Sequence, residues 1–346
     1  MSPCRSIVCS AGSADAAPAR YADSVLLSDL PPPFGKRKRP SIEVRRFRGT
    51  ARLAEGLERL RVAHLTDMHF GRVTPLSVQE AAVAAVNAEE PDVVVLTGDF
   101  VCHSQAYLEQ MSAVLAKLRA PALGVLGNHD YWSGADEVRH GLKNANVALL
   151  SNAHTTIEVR GQRLQILGLD DAYTGHADRA RALKGLRKDV PTLGLSHIAE
   201  EADALWAQGV SLVLAGHTHG GQVTVASLHE LAIGRFVGHR YVHGLYGKRN
   251  GGEQGTGAVY VSAGIGAAMI PIRLGDRGRR EVAIFELGAS APALEEHHDE
   301  QPPLPGRKPS PALVEKRRAA VAKKMWKRES AAAQRALAAE RKKPRS

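Results

Sequence analysis

Cysteine is scarce in this chain. Three residues in 346, Cys4, Cys9 and Cys102, form no even or regularly spaced framework. That excludes a disulfide-stapled scaffold and makes a reducing compartment, the cytoplasm, the default expectation. None of the three sits in a C-x-x-C pair, so a thiolate-bound structural zinc is excluded as well. No run of 18 or more apolar residues occurs, and no membrane-crossing helix is expected. Residues 1–20 lack a basic segment followed by an apolar one and do not read as a secretory signal. Internal repeats are absent.

Positive charge is unevenly spread. Of the net +10, residues 301–346 hold 14 Lys/Arg against 3 Asp/Glu, leaving residues 1–300 at a net of −1. A second basic cluster runs from Lys36-Arg37-Lys38-Arg39 through Arg45, Arg46, Arg48 and Arg52. The basic surface therefore belongs to the ends, and the sequence pI of 9.6 says nothing about a catalytic site. Residues 1–40, with Pro31-Pro32-Pro33, read as a flexible basic arm. Residues 41–288 read as the globular body, and 289–346 as a Pro-rich linker followed by a basic, helix-capable tail.

Apolar periodicity in the body predicts strands over 61–65, 93–96, 122–126, 147–150, 156–159, 164–168, 192–195, 212–215, 259–262 and 282–285, with an irregular edge strand over 42–47. Helices are expected over 75–90, 105–119, 134–145, 177–188 and 199–208. Strands alternate with helices early and cluster later, a pattern that suits a layered α/β sandwich.

Histidine and aspartate recur where these strands end. Asp67-Met68-His69, Gly98-Asp99, Gly127-Asn128-His129-Asp130, His197 and Gly216-His217-Thr218-His219 each follow an apolar run. Side chains just past the carboxyl ends of strands converge on one rim of an α/β sheet. Residues two apart on extended backbone, such as Asp67 with His69 and His217 with His219, point to the same side. A mixed imidazole and carboxylate set suits Mn, Fe, Zn or Co rather than Ca. Asp99 has two carboxylate oxygens and can offer one to each of two cations.

This ordered set resembles the calcineurin-like metallophosphoesterase superfamily over roughly residues 60–287. The longer strings Gly127-Asn128-His129-Asp130-Tyr131-Trp132, Gly168-Leu169-Asp170-Asp171 and Gly216 to Val223 resemble a bacterial phosphodiesterase branch, often membrane-associated, related to UDP-2,3-diacylglucosamine hydrolases. The resemblance implies a four-layer α-β-β-α sandwich and a phosphodiesterase with two divalent metal ions. It implies that Asp67, His69 and His219 hold one metal, that Asn128, His197 and His217 hold the other, and that Asp99 bridges them. It further implies in-line attack by a metal-bridging hydroxide, with His129 stabilising charge and protonating the leaving oxygen, and Asp130 orienting His129. The chain departs from the branch after His197, where Ile-Ala-Glu-Glu replaces a proline and an acid. It departs again at Ala263, where many relatives carry arginine, and it shows no amino-terminal anchor or export signal.

Other histidine-rich hydrolases fit less well. An amidohydrolase places its H-x-H after the first strand, a metallo-β-lactamase wants H-x-H-x-D-H, and a haloacid-dehalogenase phosphatase wants D-x-D. Two alternatives stay open: a non-catalytic phosphoesterase-fold scaffold or membrane-surface binding protein, and a protein or nucleotide phosphatase. The expected partner is a phosphate-ester substrate, lipid-linked or nucleotide. The tail over 307–345 reads as a solvated helix or as a basic amphipathic helix on an anionic surface at the inner membrane. No DNA- or RNA-binding motif accompanies its charge. His64, His103, His140, His154 and His176 read as surface or satisfied core groups, His239 and His243 as loop residues, and Cys102 as a buried thiol. Loop 224–256, rich in glycine, Arg and His, reads as a lid or phosphate-binding rim.

Overall fold

A computed structural model describes residues 40–48, 53, 56–221, 239–247, 257–267, 278–288 and 310–341. The expected arm (all but Pro40), the linker and most of loop 224–256 lie outside the described residues. Twelve strands form two six-stranded mixed sheets among the described residues. The first comprises β1 (Glu43–Arg48), β12 (Glu281–Leu287), β2 (Leu60–Leu65), β3 (Val93–Thr97), β4 (Ala122–Val125) and β5 (Val147–Leu149), in that order. The second runs β10 (Gly244–Gly247), β11 (Ala258–Val261), β9 (Leu212–Ala215), β8 (Thr192–Leu195), β7 (Gln162–Gly168), β6 (Ala153–Val159).

Alternation along each strand sorts its side chains between layers. Val62, Val93, Val95, Leu123, Leu193, Leu195, Leu212 and Leu214 fill the space between the sheets. Their neighbours Ala63, Val94 and Leu96 face outward onto α1 (Leu76–Ala88), α2 (Leu108–Leu115) and α4 (Ala135–Asn144). Val213 and Ala215 face outward onto α5 (Arg179–Leu183) and α6 (Ala202–Trp206). The result is the expected four-layer α-β-β-α sandwich. Strands buried on both faces carry continuous apolar runs, which is why 93–96 and 212–215 are legible in the sequence.

Helices 105–119 and 199–208 are shorter than expected, each opening on a 3-10 turn, and three further elements differ. Residues 179–183 alone are helical within 177–188, with the Asp178 side chain capping Arg181 N at 3.0 Å. Residues Asn128–Ser133 form a helix, α3, inside a motif that carries no helical period. The Asp130 carboxylate caps its start by accepting from Gly127 N at 2.9 Å. Strand β10 has no sequence signal, because Gly-Leu-Tyr-Gly carries no alternation.

Strands β2, β3 and β4 run parallel, as do β7, β8 and β9. Their carboxyl ends therefore open on one rim. The tail forms α7, Pro311–Arg341. No helix among the described residues is long and apolar enough to cross a membrane.

Candidate metal centre

The rim is built on strained backbone. Asp67, His69, Asp99, His217 and His219 all have positive φ, between 43° and 75°. L-residues adopt this region at a cost, and such outliers gather where surrounding structure over-determines them for function. Gly98, at φ 89°, lets the chain turn from β3 into Asp99. A Cβ there would lie 2.5 Å from Gly127 N, so the two glycine-led motifs pack backbone to backbone.

Each carboxylate splits its two oxygens between structure and site. Asp67 Oδ2 accepts from Thr66 Oγ1 (2.9 Å) and His217 N (3.1 Å). Its Oδ1 is buried without a hydrogen-bond partner and lies 3.4 Å from His219 Nε2 and 3.8 Å from His69 Nε2. Asp99 Oδ1 accepts from His129 N at 2.8 Å. Its Oδ2 lies 3.6 Å from His69 Nε2 and 3.3 Å from His197 Nε2.

Imidazole nitrogens also face one another. His69 Nε2 and His219 Nε2 are 3.0 Å apart, and His217 Nδ1 and His197 Nε2 are 3.3 Å apart. His197 Nδ1 donates to Thr97 O at 2.7 Å, which orients the ring and turns Nε2 to the centre. Two groups result, Asp67-His69-Asp99-His219 and Asp99-His197-His217, with candidate ligand atoms within 4.8 Å of one another in each. Asp99 is common to both. Asn128 follows β4 on the same rim, and its Oδ1 is buried without a hydrogen-bond partner. Orphaned oxygens beside converging nitrogens are what a divalent cation would satisfy, so the donor set fits metal ions.

Burial and the crowding of charge set the protonation of these groups. Burial pushes the Asp67 carboxyl up to about 7, with His197 pulling down and Asp99 adding to the rise. For His197 burial lowers the pKa, but Asp99 outweighs it and holds the ring at about 10. Burial opposes ionisation of Asp99 too, yet His197 and His129 keep it well below the carboxylate range. Burial lowers His69 and His217.

His129 lies beside these groups, its Nε2 4.0 Å from Asp99 Oδ2. Its ring packs against His69 (4.7 Å), Trp132 (4.7 Å) and His103 (4.4 Å). The hydrogen bonds of the Asp130 carboxylate go to backbone: Phe100 N at 2.8 Å, Val101 N at 3.2 Å and Gly127 N. Asp130 is thus a brace joining the ends of β3 and β4.

Several neighbours of the centre carry no sequence signal. Gln79, buried on α1, donates to Met68 O (3.1 Å) and His69 O (3.3 Å) and so fixes the first motif. His239, expected as a loop residue, stands 5.0 Å from the His217 ring and pairs with Glu200 at 3.3 Å. His103, expected as a surface or satisfied core group, is exposed and also touches His129. Cys102 is half-buried and groups with His69 and His129. His64 is a core group whose Nε2 lies 2.8 Å from Thr97 Oγ1 and whose Nδ1 is buried without a hydrogen-bond partner. His243 belongs to a buried knot in which Glu281 also meets Arg45 and the Tyr260 hydroxyl. Glu281 holds Ala263 N at 2.9 Å. The following turn then reaches Asp67 O through Gly266 N at 2.6 Å. Local patterns such as caps and turns mark a residue in sequence, and these contacts are made between separate elements.

Residues 60–221 match the calcineurin-like phosphoesterase family. The chain carries a calcineurin-like metallophosphoesterase domain and is similar to proteins named metallophosphoesterase and phosphodiesterase, which supports a metal-dependent phosphoric ester hydrolase. It is 29% identical over 235 residues to the phosphodiesterase YaeI of Escherichia coli, covering 66% of this chain and 82% of that one. It is 26% identical over 241 residues to the uncharacterized metallophosphoesterase YkuE of Bacillus subtilis, covering 68% of this chain and 81% of that one. A transmembrane protein with metallophosphoesterase domain from Bos taurus is 34% identical over 246 residues, 65% of this chain and 53% of that one.

Proposed function

We propose that the chain is a two-metal phosphodiesterase. In this reading Asp67, His69 and His219 hold one ion, Asn128, His197 and His217 hold the other, and Asp99 serves both. The observation that carries the reading is Asp99 Oδ2, which stands within 3.6 Å of an imidazole nitrogen from each group. When bound, the divalent cations supply Lewis-acid charge for the phosphoryl oxygens and a nucleophilic hydroxide at neutral pH. His129 keeps its Nε2 at the mouth of the centre, where it donates a proton to the departing oxygen. Asp130 holds the β3 and β4 ends in register beneath it. Mn, Fe, Zn and Co all suit this donor set, and the expected substrate is a phosphate ester, lipid-linked or nucleotide.

The test is hydrolysis of bis-p-nitrophenyl phosphate against p-nitrophenyl phosphate by metal-stripped protein titrated with Mn²⁺. Metal-dependent cleavage with preference for the diester is expected. Protein that binds no metal would sink the reading.

A second reading concerns location. Helix α7 carries nine Lys/Arg against three Glu. Its Trp326 is 66% exposed, an unusual place for an indole in a helix that packs only on its own domain. A basic helix with an outward indole suits an anionic membrane surface. Co-sedimentation with vesicles containing phosphatidylglycerol is expected at low salt and is lost at high salt. Equal binding to neutral vesicles would count against it.

A further inference from the structure

The first turns of α7 reach the mouth of the candidate centre. The Arg317 guanidinium lies 3.9 Å over the Tyr173 ring. Arg318 Nη2 donates to the Gly175 carbonyl. The same helix packs against α3, which carries Asn128 and His129. Tyr173 therefore links the tail to the site: its ring is 5.1 Å from His217 and 6.0 Å from Trp132.

The loop that carries Tyr173 is fixed. Asp171, fully buried, accepts from Tyr173 N (3.2 Å) and Thr174 N (2.7 Å). A guanidinium seated on a ring is held by its face, which leaves its N–H edge for another acceptor. Among the described residues no carboxylate forms an ion pair with Arg317. Its charge stands at the site mouth, on the ring that borders His217.

We propose that Arg317 is a specificity-determining residue. It binds an anionic group that the substrate carries next to the reacting phosphate, so the preferred substrate is a phosphate ester with a second negative charge. This inference rests on the phosphoesterase reading of the site.

Calorimetric titration of the full chain, loaded with Mn²⁺, tests it without relying on turnover. Methylphosphonate offers one anionic group and phosphonoacetate offers two. The wild type binds phosphonoacetate more tightly, by roughly 10- to 100-fold, the range of a hydrogen bond to a charged group. R317A loses that preference and keeps its affinity for methylphosphonate. R317K keeps part of it, since an ammonium supplies charge without the planar fork. A wild type with no preference, or a preference that survives in R317A, overturns the proposal. If neither phosphonate binds the wild type, the phosphoesterase reading falls and the proposal with it. If methylphosphonate binds and phosphonoacetate gains nothing, only the role of Arg317 falls.

Discussion

Asp99→Ala collapses turnover and empties both halves of the centre. The carboxylate offers Oδ2 to His69 and to His197, while Oδ1 holds His129 N. Alanine removes the shared acceptor, and with it the negative charge that stabilises cations in a buried site. The rate of diester cleavage falls by about 10³-fold or more, and metal content drops in the same variant. His129→Ala is the contrasting case. It loses about 10²–10⁴ in rate, as for a general acid, and retains its metal. Metal analysis by atomic emission alongside kcat separates the two. Full metal occupancy in the Asp99 variant would remove Asp99 from its bridging role.

Metal binding stabilises the fold, and the gain grows with pH. In the metal-free protein Asp67 titrates at about 7, above its ordinary range. Its protonated form is favoured by folding, so its contribution to stability is lost as pH rises through about 7. His197, raised to about 10, holds a proton across the same interval. Cations displace both protons, and their binding therefore strengthens as the pH rises. At a free concentration roughly a thousandfold above Kd, one ion adds about 4 kcal/mol. Melting curves with Mn²⁺ and with chelator diverge more at pH 8 than at pH 5. A gap that is constant across that range would show that neither proton is displaced.

Much of the architecture is legible because strands buried on both faces carry continuous apolar runs and site motifs follow them. Asp67, Asp99, His197 and His217 stand at the strand ends where those runs stop. Asn128 and His129 are legible as residues but not as the start of a helix, because the cap comes from Asp130 at the far end of the same turn. Gln79, Tyr173 and His239 are not legible as neighbours of the centre. Each reaches it from another element through tertiary packing, which leaves no local period. The Arg317 contact is hidden for the same reason, since nothing in a basic tail indicates where its first turn rests.

The two sheets meet at their carboxyl ends through His197, whose ring belongs to the second sheet and whose Nδ1 donates to Thr97 O of the first. Asp67 and His219 repeat that crossing. Ions held between such residues would act as rivets through two plates. Without ions, the packed apolar layer between the sheets would still hold them together, and the seam at the carboxyl ends would keep only its hydrogen bonds.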